Sequence, residues 1–213
     1  MKPNRLLNLY HLLLEHFGPR HWWPADSSFE MIVGAILTQN TAWKNVEKAI
    51  HNLKQLAPIT IDNLAALPEA TFKEAIRPAG YYNQKTKRLK NLIAILNEEY
   101  QGGLESLFDL STEILRQRLL NISGIGPETA DSIILYAAKR PVFVIDAYTV
   151  RSLSRHELLP EDCTYDQAQE WIMDQLPQDV ALFNEFHALF VALGKEYCRP
   201  QPKCDGCPLE HFT

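Results

Sequence analysis

No run of about eighteen apolar residues, the length that a membrane-spanning helix requires, occurs in the sequence. The first residues, Met1-Lys2-Pro3-Asn4-Arg5, carry basic charge but no long apolar run followed by a small-residue cleavage site. From these absences we expect neither a membrane partner nor a secretory signal peptide. We therefore expect a cytoplasmic protein.

The alternation of apolar and polar residues that marks half-buried strands is also missing, as are internal repeats and low-complexity segments. Val142–Ile145 is the one strand-like stretch; with no partner strand, we expect it to be a buried connector. Elsewhere apolar residues recur at helical spacing, which predicts an all-α fold. The expected helices span 5–17, 28–37, a helix capped by Thr41 and running to about Leu53, 68–76, 83–99, a helix capped by Ser111 and running to about Leu120, Pro127 to about Ala138, 147–157, 164–175 and 180–194.

Excess positive charge is absent: the formal net charge is -5. This argues weakly against nucleic acid, because affinity for DNA depends on local placement of Lys and Arg against phosphates. Basic residues gather at two places, which are either solvated helix faces or DNA contacts: Lys85, Lys87, Arg88 and Lys90, and then Lys139, Arg140, Arg151 and Arg155.

Two glycines flank an apolar residue in Ile122-Ser123-Gly124-Ile125-Gly126-Pro127, between two predicted helices. Glycine permits close approach of another backbone, and proline fits the first position of the second helix. The free amides of such a turn suit a DNA phosphate. An ordinary glycine-rich connection between antiparallel helices is the alternative.

Asp146 follows the apolar connector and opens the next predicted helix, so it could be a plain N-cap. Together with the hairpin, about twenty residues upstream, it resembles the helix-hairpin-helix superfamily of DNA glycosylases, to which endonuclease III belongs. The resemblance extends from about residue 20 to the cysteines. It implies that the carboxylate of Asp146 stabilises positive charge on the sugar during base release and orients or deprotonates water.

The resemblance also implies a two-lobed architecture with a DNA cleft between the lobes. We expect residues 20–130 to form a six-helix lobe that ends in the hairpin. Residues 1–19 and 131–213 would form a second helical lobe with the C-terminal cysteine loop. The implied partner is double-stranded DNA that contains a damaged base, and we expect a monomer.

One departure from the family pattern concerns the mechanism. Bifunctional members carry a lysine on the helix after the hairpin, which attacks the sugar and leads to strand cleavage. Glu128 occupies that position, and a carboxylate cannot form a Schiff base. Lys85 and Lys139 do not match the motif. We therefore expect monofunctional base release by water.

Four motifs together are most similar to those of the 3-methyladenine DNA glycosylase III group: Trp22-Trp23-Pro24, Leu37-Thr38-Gln39-Asn40-Thr41 followed by Trp43, Tyr82-Asn83-Gln84-Lys85 and Gly124-Ile125-Gly126 with Glu128-Thr129-Ala130-Asp131. This implies that Trp22, Trp23, Pro24 and Trp43 line the pocket for a flipped base, where electron-rich rings attract cationic alkylpurines. The alternative is that these tryptophans are core residues.

By family position, Gln39 and Tyr81 are candidates for filling the gap left in the base stack. Tyr81 could equally be a helix-boundary residue. Two other functions stay open: an endonuclease III-type glycosylase and lyase acting on oxidised pyrimidines, and a non-catalytic DNA-binding module.

The chain has only four cysteines, and three of them follow the spacing Cys198-x5-Cys204-x2-Cys207. Such crowding favours metal ligation over disulfides. The resemblance implies a [4Fe–4S] cluster, but the first spacing is one residue short and the fourth position falls on Thr213. The open alternatives are a cluster with three cysteines and His211, a zinc ion on the same four residues, and an empty site.

Overall fold

The computed structural model describes residues 4–212. Helices make up 63% of the chain and no strand occurs among these residues, so the all-α prediction is confirmed. None of the described helices is long and apolar enough to cross a membrane. The helices are α1 (Arg5–Phe17), α2 (Ser28–Leu37), α3 (Trp43–Leu56), α4 (Ile61–Ala66), α5 (Glu69–Ile76), α6 (Tyr82–Glu99), α7 (Glu105–Phe108), α8 (Thr112–Leu120), α9 (Pro127–Ser132), α10 (Ala147–Arg155), α11 (Tyr165–Met173) and α12 (Val180–Glu196).

One predicted cap is wrong and one is confirmed. Ser111 caps α8 by accepting a hydrogen bond from the backbone N–H of Ile114. Thr41 does not cap α3, because α3 begins after Ala42. The Thr41 hydroxyl instead donates to the carbonyl of Ala79 at 2.5 Å and accepts a hydrogen bond from Lys85 Nζ at 2.6 Å. A long-range contact thus outcompetes the local capping role.

The helix predicted from Pro127 to about Ala138 is divided. Regular α-helix ends at Ser132, and a π turn, Ile133–Ala137, continues the element. All five residues of the π turn are buried. The short helices α4 and α7 were not predicted. Val142–Ile145 is a buried, non-helical segment, as expected for a connector.

The chain divides into two compact units. The terminal unit contains the chain up to Trp23 and from Lys139 onward, and the central unit is Pro24–Ala138. The predicted lobe boundaries lie at residues 19/20 and 130/131. The second observed boundary lies further along because the central unit keeps α9 and the π turn together.

The terminal unit is built around α12, which packs against α10 and α1. Its core is aromatic: the rings of Phe186 and Phe190 are stacked, with centroids 4.6 Å apart, and Phe143 meets Phe183 edge-on at 5.4 Å. Gly194 allows close approach of α10, because a Cβ at this position would overlap the ring of Tyr148.

The central unit surrounds α2, in which every residue from Phe29 to Leu37 is buried. This helix packs against the π turn, α6, α3 and α9. A nearly apolar surface explains its central position. Its one buried charge, Glu30, pairs with Lys54 Nζ on α3 at 2.7 Å.

Candidate active site

Asp146 stands where the buried connector meets α10. Its carboxylate Oδ1 accepts hydrogen bonds from the backbone N–H of Thr149 at 2.7 Å and from the Thr149 hydroxyl at 2.8 Å. Asp146 is therefore the N-cap of α10. The capping interpretation and the catalytic one are compatible, since the cap uses only one carboxylate oxygen.

The connector that precedes Asp146 is hydrogen-bonded to side chains of α11. The backbone N–H of Ile145 donates to the Tyr165 hydroxyl at 3.3 Å, and the Gln169 side-chain amide donates to the carbonyl of Phe143 at 2.6 Å. These two bonds satisfy backbone groups that a sheet partner would otherwise satisfy. The backbone before Asp146 is thus fixed without a strand.

His187 is a member of this site that the sequence analysis missed. It lies on α12, and its Nε2 is 3.5 Å from Asp146 Oδ2; only 8% and 9% of the two side chains are exposed. Burial alone would raise the pKa of Asp146. The contact with His187 and the hydrogen bonds of Thr149 outweigh burial, so the pKa lies below its ordinary value. The carboxylate is consequently ionised at neutral pH.

The predicted hairpin connects α8 to α9. Ile122 and Ile125 are buried beneath the turn, and Gly124 has a φ of 95°, in the region that favours glycine. A Cβ on Gly124 would overlap the aliphatic part of Arg88. The two helices are joined by a bidentate ion pair, in which Arg116 Nε lies 2.7 Å from the fully buried Asp131.

Gln39 is held against this hairpin. Its side-chain amide nitrogen donates to the carbonyl of Gly124 at 3.1 Å and to the Thr129 hydroxyl at 2.9 Å. Its side-chain oxygen accepts a hydrogen bond from Arg88 Nη1. The structure therefore brings one predicted wedge residue into direct contact with the predicted phosphate-binding turn. Arg88, named from the sequence only as part of a basic cluster, also bonds Gln39.

The second predicted wedge residue, Tyr81, is 65% exposed. It precedes α6 with a φ of 47°. Lys85 ties this region to the Gln39 segment: its ammonium donates to the carbonyl of Leu37 at 2.7 Å, to the Thr41 hydroxyl and to the carbonyl of Ala79 at 2.9 Å. Burial, and secondarily the charge of Arg88, lowers the pKa of Lys85 to about 8.

The predicted base-pocket residues fall in both units. Trp22 and Trp23 belong to the terminal unit, where their ring centroids are 4.8 Å apart and inclined at 51°. Pro24 and Trp43 belong to the central unit. The indole N–H of Trp43 donates to Glu47 at 2.9 Å. Their shared role stays a prediction.

Glu128 and the two lysines named from the sequence have different surroundings. Glu128 is exposed in the first turn of α9. Lys85 is only 1% exposed and donates three hydrogen bonds. Lys139 is exposed and has a φ of 55°. A side chain as buried as Lys85 is poorly placed to attack a sugar.

The cysteine loop is fastened to α10 by arginines. Arg155 donates to Cys198 Sγ at 3.3 Å and to the carbonyl of Pro200 at 2.8 Å, and Arg151 donates to the carbonyl of Cys198 at 2.7 Å. Burial chiefly, with the nearby Cys198 and Cys204 thiols, raises the pKa of Cys207.

Thiols are the donor type that binds iron–sulfur clusters, and the loop supplies three of them. His211, the proposed fourth ligand, is exposed. Between residues 4 and 212 no three His, Cys, Asp or Glu side chains are grouped as a metal site. The donor set fits a cluster in its chemistry but is incomplete in its geometry, so the ligands stay a prediction.

Comparisons with known proteins show the family of the chain. The sequence profile of the HhH-GPD superfamily of base excision DNA repair proteins matches residues 33–178. A Methanocaldococcus jannaschii protein, named as a candidate DNA repair glycosylase, is 46% identical over 100% of this chain and 98% of its own length. The endonuclease III of Sulfolobus acidocaldarius is 29% identical over 86% of this chain and 80% of its own length.

Two solved structures have a similar fold. The H. pylori 3-methyladenine DNA glycosylase bound to 1,N6-ethenoadenine superposes with a TM-score of 0.77 at 28% identity, covering 90% of this chain and 97% of that one. A non-covalent endonuclease III–DNA complex superposes with a TM-score of 0.83 at 21% identity, covering 100% and 95%.

Proposed function

Since the chain belongs to the HhH-GPD superfamily of base excision DNA repair proteins, we propose that it is a monofunctional DNA glycosylase that removes 3-methyladenine or another N-alkylated purine from damaged double-stranded DNA. The observation that carries this proposal is the Asp146 carboxylate. It is fixed by a helix cap, ionised, and buried where water screens its charge poorly. These are the properties that stabilisation of a cationic sugar requires.

The proposed reaction breaks the bond between sugar C1′ and the purine nitrogen. The bonding electron pair leaves with the base, so an N-alkylated purine cation departs as a neutral molecule. Positive charge develops on the sugar and is stabilised by Asp146. A water oxygen then bonds to C1′ and loses its proton to Asp146 or to solvent. The product is an abasic site.

We propose that the hairpin binds the DNA backbone. The amides of Gly124, Ile125 and Gly126 would bind a phosphate without reading sequence. The exposed Tyr81 and the half-buried Gln39 would fill the gap left by the flipped nucleotide, at a cost of a few kcal/mol of unstacking. For Gln39 this requires release from its hydrogen bonds to the hairpin.

Preference for alkylated purines is proposed from the aromatic residues. Trp22, Trp23, Pro24 and Trp43 would contact the extruded base, and indole rings attract a desolvated planar cation by roughly 0.5–2 kcal/mol. The similarity to the H. pylori enzyme named for 3-methyladenine, at 28% identity, supports the same substrate class.

The absence of lyase activity is proposed from Glu128. A Schiff base needs a neutral amine within reach of C1′. The motif position supplies a carboxylate, and the amine of Lys85 is occupied by three acceptors.

The test uses methylated DNA and a thymine-glycol duplex, each assayed for free base and, separately, for strand nicking with and without alkali. We expect release of 3-methyladenine, nicking only after alkali, and loss of both in Asp146→Asn. Asparagine preserves the N-cap, so the loss can be assigned to the charge. Nicking of the thymine-glycol strand without alkali would overturn the proposal.

That second result would favour an endonuclease III-type enzyme, the candidate suggested by relatives such as the Sulfolobus acidocaldarius protein. DNA binding without base release from either substrate, unchanged in Asp146→Asn, would indicate a non-catalytic module. Light scattering of the free and DNA-bound protein tests the expectation of a monomer.

For the cysteine loop we propose a [4Fe–4S] cluster held by Cys198, Cys204 and Cys207, with His211 as fourth ligand. When bound, the cluster supplies a structural cross-link. Iron, acid-labile sulfide and zinc measured in protein purified without oxygen distinguish a cluster from zinc and from an empty site. Cys204→Ser should abolish the bound metal, whereas Cys163→Ser, outside the loop, should retain it.

A further inference from the structure

The two oxygens of the Asp146 carboxylate have different surroundings. Oδ1 accepts both hydrogen bonds of Thr149, at 2.7 and 2.8 Å. Oδ2 faces His187 Nε2 at the longer distance of 3.5 Å. The short bonds therefore fix the rotamer, while the longer contact leaves Oδ2 with most of its capacity to interact with a reacting group.

His187 occupies an unusual position on its helix. Phe183, Phe186 and Phe190 on the same helix belong to the aromatic core of the terminal unit. The His187 side chain is also buried, with only 8% of it exposed, although its ring is polar. Burial of a polar ring is costly unless a partner compensates for the lost water. The Asp146 carboxylate is such a partner, because it can accept a hydrogen bond from a protonated ring nitrogen or form an ion pair with the imidazolium.

We propose that His187 is a positioning residue for Asp146: its Nε2, 3.5 Å from Oδ2, orients this oxygen toward the reacting sugar and stabilises its negative charge. This inference rests on the proposed role of Asp146 in base release. His187 itself contacts neither the base nor the sugar; it acts through Asp146.

Among residues 4–212, His187 and Thr149 are the groups that lower the pKa of Asp146. From α10 the carboxylate accepts hydrogen bonds from the uncharged amide and hydroxyl of Thr149. From α11 the Tyr165 hydroxyl accepts a hydrogen bond from the backbone N–H of Ile145, the residue before Asp146. From α12 the facing titratable group is His187. Removal of His187 should therefore have a direct effect on Asp146 titration.

The experiment compares His187→Gln, which keeps a side-chain N–H, with His187→Leu, which removes both the donor and the charge. His156→Leu is the matched control, a histidine of the same unit whose ring contacts Phe212. For each variant, the pH dependence of single-turnover base release is measured. Independently of activity, Asp146 is titrated by carbon-detected NMR of its labelled carboxyl group.

In His187→Leu we expect the acid limb of the rate profile and the carboxyl titration both to move up by roughly one pH unit. A smaller shift is expected in His187→Gln and none in His156→Leu. Carboxyl titrations of His187→Leu and His187→Gln that coincide with wild type would overturn the proposal. Circular dichroism shows whether each variant is folded. If His187→Leu is not folded, the carboxyl titration of His187→Gln tests the proposal. If the wild-type protein releases no base, the proposed function fails, but the NMR titration still tests His187.

Discussion

Replacement of Lys85 by methionine should destabilise the central unit strongly. The Lys85 ammonium is buried and donates to the carbonyls of Leu37 and Ala79 and to the Thr41 hydroxyl. Methionine preserves most of the apolar packing but supplies no donor. Each buried acceptor left unsatisfied costs about 1–3 kcal/mol. The burial cost of the charge, visible in the lowered pKa, offsets part of this loss.

We therefore expect Lys85→Met to lower the free energy of unfolding by roughly 3 kcal/mol. Urea denaturation followed by circular dichroism measures the change. The control is Lys87→Met, two residues along the same helix, where the side chain is exposed and the expected change is within about 0.5 kcal/mol. Equal stabilities of the two variants would refute the assignment of Lys85 as a structural cation. It would also reopen the question of whether its amine is free for chemistry.

Three further variants test the packing and the charge of the site. Asp131→Asn breaks the bidentate pair with Arg116, which is 24% exposed. It should lower the free energy of unfolding, measured in denaturant, by about 3 kcal/mol. A loss below about 1 kcal/mol would mean that the pair does not hold the hairpin helices together. Gly194→Ala should cost about 1–3 kcal/mol, because its Cβ overlaps Tyr148, and combining it with Tyr148→Ala should recover part of that loss; a strictly additive double variant would contradict the overlap. Because the pKa of Asp146 is lowered on folding, its contribution to stability is complete above about pH 4 and disappears as the pH falls further. Asp146→Asn should accordingly show a weaker acid dependence of its thermal midpoint than wild type, and identical curves would contradict the sign of the shift.

Much of the fold could be predicted because its helices carry local signals. The helix at residues 5–17 ends where glycine and proline follow, and Ser111 caps α8 as expected. Two of the failures lie in buried parts of the fold. The Thr41 hydroxyl is engaged by Lys85 and Ala79, which are distant in sequence, and the π turn after Ser132 is fully buried. Tertiary contacts of this kind leave no periodic trace in the sequence.

The candidate site shows the same division. The position of Asp146 after an apolar connector is a local pattern, so a cap could be predicted there. His187 could not be found in this way, since one histidine within an apolar helix is indistinguishable from an ordinary core residue. Gln39 bonds the hairpin directly and also accepts a hydrogen bond from Arg88, whose charge alone suggested only a basic surface.

The capping geometry of Asp146 has a consequence for the choice of substrate. The carboxylate lies at the N-terminus of α10, where the helix dipole favours negative charge. The same field makes it a weak Brønsted base, poorly suited to pulling a proton from water early in the reaction. In the proposed mechanism, cleavage of the glycosidic bond must then depend on the quality of the leaving group. Intact purines are poor leaving groups. A weak base at this position would thus spare undamaged DNA even when a normal nucleotide enters the pocket.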